Sequence, residues 1–267
     1  MTTAPTTTDA AGALTANDAR RLPRLNIAVG LAHLAQAALI LLLAKPASLP
    51  VGVSYLTGPP GSGNYGGPAS LFDVRIDLAV AAFLLLAAID HLAVASPWAR
   101  RWYVSNVARG INPARWWEYA VSASLMVVLI AMLAGITEAT ALLALFGVNA
   151  AMILFGLAME RANLGREQVD WRPFTYGCLA GAVPWIAIAL QIVVSQDNTA
   201  SVPTFVIAIF VTLFLLFNTF PVNMWLQYRG RGRWAARAHA ERVYLILSLV
   251  AKSALAWQVY AGALAGG

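Results

Sequence analysis

The chain has 267 residues, of which 60% are hydrophobic and only 11% are charged, and its formal net charge is +6. A soluble domain is about 45 to 50% apolar, so this composition excludes an ordinary water-soluble fold. Basic chains can bind nucleic acid, but here the basic residues are confined to a few connections between apolar segments. We therefore expect no nucleic-acid partner and a lipid bilayer as the main solvent.

Seven apolar segments are long enough to cross a bilayer, because an α-helix needs about 20 residues to span the hydrocarbon core. The predicted fold class is an all-α membrane protein, a bundle of seven transmembrane helices forming one domain over residues 21–267. Residues 1–20 have no hydrophobic pattern and are predicted to form a disordered tail. A signal peptide is the alternative for residues 20–48, but that apolar run is too long. The predicted spans are 25–44, 73–95, 113–134, 138–159, 173–194, 202–228 and 240–263.

The basic residues predict the orientation of the bundle. Fifteen of the 18 lysines and arginines lie in the N-terminal tail and in the connections near 96–115, 160–172 and 229–242. Positive residues are retained on the cytoplasmic side. The sequence therefore predicts a multi-pass protein of the cell membrane with its N-terminus cytoplasmic and its C-terminus extracellular.

The connection at 45–72 is the only long one, and it falls on the predicted extracellular side. Val51, Val53 and Tyr55 alternate with small residues, as in a strand, and the Pro- and Gly-rich run after them can reverse the chain. This pattern predicts a short β-hairpin, with a loose loop as the alternative.

Lys252 is the most informative residue, since it lies near the middle of the seventh segment. A cation at that depth costs about 2.5 to 3.5 kcal/mol even on a lenient scale. A buried lysine tends to lose its proton, and a neutral amine can condense with an aldehyde to form a Schiff base. A structural ion pair and a residue of a transporter's ion path are the alternatives.

Glu118, early in the third segment, is the expected partner of Lys252. Opposite charges stabilise each other in a low dielectric. Ser122 lies one turn after Glu118 and Ser248 one turn before Lys252, so each hydroxyl shares a helix face with a charged group. We expect these serines to hydrogen-bond the carboxylate and the nitrogen, although a bond to the helix backbone is the ordinary role of such a serine.

Two histidines, His33 and His91, lie in the same half of the predicted membrane as Glu118, and Gln36 follows His33 by one turn. Histidine can accept a proton near neutral pH. These three residues are a candidate proton-accepting cluster, with ordinary packing of the histidines in the helix bundle as the alternative.

The lysine in the last segment, the early carboxylate in the third, and Phe217 with Phe220 and Pro221 in the sixth resemble microbial rhodopsins. The run from Arg115 to Tyr119 and the inverted orientation resemble one family more specifically, the heliorhodopsins. The other marks shared with that family are Ser122, the Ser248 to Lys252 spacing, His33, Gln36, His91, Pro184 and Trp185.

The resemblance implies a light-sensing photoreceptor with all-trans-retinal bound to Lys252, Glu118 as the counterion, and isomerisation to 13-cis in a slow photocycle. It also implies a homodimer that uses the first outer loop, and a signalling partner of unknown identity. The residues that it places around the chromophore are Tyr119, Met126, Asn149, Trp185, Phe217, Phe220 and Pro221.

Ion pumping is not expected. Proton-pumping rhodopsins carry a carboxylate one turn before the lysine and another 11 residues after the counterion, where this chain has Ser248 and Leu129. The alternatives are a light-driven ion transporter or channel, and a transporter without a chromophore. No metal site is expected, and an enzyme is the least favoured class, because the sequence offers no nucleophile and base pair besides the charged couple.

Overall fold

The computed structural model describes residues 14–198 and 202–265. Seven of its helices are long and apolar enough to cross a membrane, which confirms the predicted fold class. In chain order they are α1 (Ala16–Leu43), α2 (Ile76–Ala95), α4 (Pro113–Leu133), α5 (Ala139–Ala162), α6 (Arg172–Asn198), α7 (Thr204–Arg229) and α8 (Arg237–Val259). A short 3-10 helix, Gly232–Ala235, precedes α8, and one turn of π-helix, Tyr260–Leu264, follows it.

The first helix begins earlier than the sequence predicts. Thr15 accepts a hydrogen bond from the Asp18 backbone and Asp18 bonds back to Thr15, so a capping box fixes the start at Ala16. Residues 16–20 are thus helical, not part of a disordered tail, because the cap satisfies backbone groups of the first turn. Residues 1–13 of the predicted tail lie outside the described residues.

A short helix that was not predicted, α3 (Arg100–Arg109), lies between α2 and α4. It ends at Gly110, whose φ of 86° is left-handed backbone that favours glycine. Asn112 then caps α4 by accepting from the backbone of Arg115, with Pro113 at the first helical position. This turn fixes the start of the helix that carries Glu118.

The predicted β-hairpin is present, formed by β1 (Ser48–Leu56) and β2 (Tyr65–Arg75). The strands pair antiparallel from Ser48 opposite Arg75 to Leu56 opposite Tyr65. The hairpin is also fixed to the start of α5, because the Gly52 N–H donates to the Thr137 carbonyl at 3.1 Å and the Ser54 N–H to the Glu138 carboxylate at 3.0 Å. The hairpin is therefore held against one end of the bundle by these hydrogen bonds.

The main hydrophobic core lies around α4, which contributes buried residues along its whole length. By contrast, α6 and α7 expose large apolar side chains such as Leu179, Ile186 and Leu215. Exposed apolar surface of this kind suits contact with lipid. Glu118 is thus carried by the helix at the centre of the core, α4, and Lys252 by α8.

Candidate functional site

The Lys252 amine and the Glu118 carboxylate form a buried ion pair between α8 and α4. The Nζ atom of Lys252 lies 3.3 Å from Oε1 and 3.4 Å from Oε2 of Glu118. The two side chains are only 4% and 5% exposed, so both charges are held away from water. The amine also donates to Ser248 Oγ at 3.1 Å, and it lies 4.8 Å from the centre of the Tyr119 ring.

This amine lies on the wall of an apolar cavity of about 330 Å³. One third of the lining residues are aromatic. Two pairs of these rings meet edge to face: Tyr119 and Phe220 at 5.6 Å, and Trp185 and Phe217 at 5.5 Å between centroids. Such contacts hold flat rings in fixed orientations. The predicted residues that line the cavity are Tyr119, Met126, Trp185, Phe217, Phe220, Pro221, Ser248 and Lys252.

Three predicted residues are not part of that wall: Glu118, which pairs with Lys252, and also Asn149 and Ser122. Asn149 is fully buried, but it faces α4 and donates from its amide to Ser124 Oγ at 3.0 Å. Ser122 is fully buried one turn from Glu118, and its hydroxyl has no hydrogen-bond partner among the described residues. Of the two serines expected to bond the pair, only Ser248 does so here.

The two predicted histidines come together. The rings of His33 and His91 are parallel within 4°, with centroids 5.7 Å apart, and both residues are buried. His91 Nδ1 lies 2.9 Å from Asn26 Oδ1. Gln36 accepts from the indole N–H of Trp257 at 3.1 Å, and Trp257 is five residues beyond Lys252 on α8.

The sequence did not reveal a second buried charged group, the inner cluster of Arg115, Glu160 and Glu241. The Arg115 guanidinium bonds both carboxylates, and all three side chains are at most 5% exposed. Glutamates near the ends of α5 and α8 are normally solvated. The three-residue spacing relates Arg115 only to Glu118 on one helix face, so it gave no signal for Glu160 and Glu241.

Trp116 is another residue of the wall that sequence reasoning missed. Its ring packs directly on Gly156 of α5, where a Cβ atom would overlap it. A glycine inside a spanning helix is the signal that could have indicated this close approach.

These features define a class: a multi-pass membrane protein of seven helices whose last helix presents a buried lysine, paired with a carboxylate, to an apolar pocket. The chain matches the heliorhodopsin family over residues 22–264 and belongs to it. No curated protein matches the chain. Family membership makes the chain a retinal-type rhodopsin photoreceptor with a retinal chromophore.

The residues present fit such a chromophore. Retinal is an elongated apolar aldehyde, and this chain offers a primary amine on the wall of an apolar aromatic cavity. The carboxylate beside the amine would balance its positive charge, and the unpartnered Ser122 hydroxyl lies one turn away. Lys252 would hold the group, and Tyr119, Trp185 and Phe217 would enclose it.

Proposed function

We propose that this protein is a light sensor that holds all-trans-retinal on Lys252 with Glu118 as the counterion, and that it does not pump ions. The observation that carries the proposal is the buried amine next to a carboxylate on the wall of the apolar cavity. Condensation of the Lys252 amine with the aldehyde would form the Schiff base and release one water. The bound chromophore would supply light absorption and an all-trans to 13-cis isomerisation, followed by slow recovery.

The chain's own residues set the conditions for this chemistry. The neutral, nucleophilic form of the Lys252 amine is the one that condenses with an aldehyde. Once the nitrogen is cationic, Glu118 compensates it and Ser248 accepts a hydrogen bond from it. The edge-to-face rings of Tyr119 and Phe220 restrict which geometry a flat ligand can adopt beside the nitrogen.

The histidine pair is the proposed site that holds the proton when the nitrogen loses it. Both nitrogens of His33 and Nε2 of His91 lack hydrogen-bond partners among the described residues. A neutral imidazole has one nitrogen able to accept a proton. Gln36, bonded to Trp257, would complete the proton-accepting cluster.

The proposal that the protein does not pump ions rests on two positions at which a pump would need a carboxylate to relay protons. Leu129 and Ser248 occupy them, and both are buried. Neither side chain can carry a proton in one direction across the bundle at neutral pH. Illuminated vesicles are expected to show no photocurrent and no pH change, whereas a sustained photocurrent would favour a light-driven transporter or channel.

The proposed setting is the cell membrane with the N-terminus inside. The helix ends near 20–24, 100–115, 161–172 and 229–242 carry 15 of the 18 basic residues, as expected of cytoplasmic ends. The hairpin would face outward and contribute to a homodimer, because Tyr55, Tyr65, Leu71 and Phe72 are at least half exposed on it. Without enzymatic activity, the output would pass to a signalling partner of unknown identity.

The test is reconstitution of the expressed chain with all-trans-retinal, read as a visible absorption band. The chain has only two lysines, Lys252 and the exposed Lys45, which gives a matched control. Lys252→Ala is expected to abolish the pigment and Lys45→Ala to retain it. Borohydride reduction followed by mass spectrometry should place the retinyl adduct on Lys252. A pigment that persists in Lys252→Ala would refute the proposal.

A further inference from the structure

The inner cluster of Arg115, Glu160 and Glu241 holds more negative than positive charge. One guanidinium faces two carboxylates, and all three groups are excluded from water. An uncompensated charge in a low-dielectric interior is strongly unfavourable, and two carboxylates that share a site do not both remain ionised easily. Binding one proton neutralises the cluster.

Within residues 14–198 and 202–265, the surroundings of the cluster provide neutral donors, and Arg115 is the cation that pairs with the carboxylates. Glu160 accepts from the Asn112 backbone N–H at 2.8 Å, and Glu241 accepts from the Asn112 side chain at 2.8 Å and from the Tyr103 hydroxyl at 3.1 Å. The Arg115 guanidinium also lies 3.9 Å from the centre of the Tyr244 ring. Among the described residues these neutral donors orient the carboxylates and Arg115 bonds both of them. The Arg237 guanidinium, which donates to the Ala108 carbonyl, lines the small cavity beside Glu160 and Glu241 without bonding either.

A second observation points to a water molecule bound beside the cluster. A cavity of about 10 Å³ adjoins the cluster and is lined by Arg115, Gln227, Gly110 and Arg237, among others. That volume is about one water molecule. The Nε atom of Arg115 and Oε1 of Gln227 are buried without hydrogen-bond partners among the described residues, as expected if a water bonds them.

A directed chain of hydrogen bonds joins the histidine pair to the cluster. The Asn26 amide donates to the Leu22 carbonyl and to the Tyr103 hydroxyl, both at 3.0 Å, so its Oδ1 accepts from His91 Nδ1. The Tyr103 hydroxyl, having accepted from Asn26, donates to Glu241. Every donor points the same way, and hydrogen bonds aligned in this manner strengthen one another.

We propose that the Arg115, Glu160 and Glu241 cluster is a proton-binding site whose hydrogen bonding responds to the charge of His91. A proton accepted at His91 Nε2 makes its Nδ1–H a stronger donor to Asn26. The Tyr103 hydroxyl in turn becomes a stronger donor to Glu241. A change in the charge of the histidine pair therefore alters the hydrogen bonding of Glu241, and no proton has to pass through the Asn26 amide. The light response in this proposal rests on the photoreceptor function proposed above.

The proton site is tested in the dark by infrared spectroscopy of the full chain, with and without retinal. Glu160→Gln and Glu241→Gln each leave one carboxylate opposite Arg115, so each should remove the C=O band of one protonated carboxylic acid. Glu138→Gln, at the hairpin, is the matched control and should change nothing. Labelling all glutamates of the native chain with ¹³C should shift the same band, a measurement independent of variant folding. A spectrum in which neither cluster variant loses intensity overturns the site.

The coupling is tested by light-minus-dark spectra of the reconstituted pigment. The carboxylic band should shift on illumination in the native protein. Tyr103→Phe should keep the dark band and reduce the light-induced shift several-fold, whereas Tyr228→Phe, a tyrosine that bonds the Met159 carbonyl instead, should retain it. An undiminished shift in Tyr103→Phe overturns the coupling. If no pigment forms, the photoreceptor proposal fails, while the dark spectra of the apoprotein still decide the proton site.

Discussion

Replacing Glu118 with glutamine removes the charge opposite Lys252 while keeping the shape of the side chain. At 3.3 Å between Nζ and Oε1, and with an effective dielectric constant of about 20, the attraction is about 5 kcal/mol. In the proposed pigment this energy would hold positive charge on the nitrogen in the ground state. Without it, positive charge spreads along the polyene, so the excitation energy should fall by up to about 5 kcal/mol and the absorption should move to longer wavelength.

The assay is the visible spectrum of the reconstituted Glu118→Gln pigment, measured at a pH where its nitrogen remains protonated. Glu118→Asp keeps the charge and should absorb close to the native protein. Glu138→Gln removes a carboxylate that instead bonds Ser54 of the hairpin, so its spectrum should be unchanged. A Glu118→Gln spectrum that superimposes on the native one would show that another group is the counterion.

Three further variants test, in turn, the charge balance of the inner cluster, the packing of the cavity wall, and the ion pair of Asp170 and Arg172 before α6. Arg115→Gln leaves two buried carboxylates without their guanidinium, and loss of one partner of a buried pair costs about 3 to 5 kcal/mol, so the thermal midpoint in detergent should fall clearly. Gly156→Val places a side chain against the Trp116 ring and should reduce pigment yield at constant expression. Hydrogen bonds from the Arg172 guanidinium and N–H lower the pKa of Asp170 to about 2, so their stabilising contribution is present above about pH 4 and is lost as the pH falls toward 2. Hydrogen exchange around residues 163–172 should show this pH dependence, and Asp170→Asn should remove it.

The spans could be predicted from the sequence because each is a long apolar run, and their observed bounds differ from the prediction by at most four residues except at the start of α1. The start of α1 was placed too late because Thr15 and Asp18 form a cap outside the apolar run. The short helix α3 is polar enough to resemble a connection, so hydropathy alone did not indicate it. The strand pattern of Val51, Val53 and Tyr55 predicted the hairpin correctly.

The Lys252 and Glu118 pair could be predicted because isolated charges in apolar segments require partners. The inner cluster could not be predicted, because Glu160 and Glu241 lie near helix ends, where such side chains are usually solvated. Asn149 was expected at the chromophore, yet it faces Ser124. Its side-chain direction depends on the rotation of α5 against α4, which composition does not specify.

The helix α4 carries the guanidinium of the inner cluster and the carboxylate of the lysine pair on one face, three residues apart. Inserting a single residue between Arg115 and Glu118 would turn one of them by about 100° relative to the other. No side-chain rotation could restore both contacts. The spacing of these two positions is therefore as important for the site as the identities of the two residues. Insertions or deletions between them should be tolerated far less than substitutions.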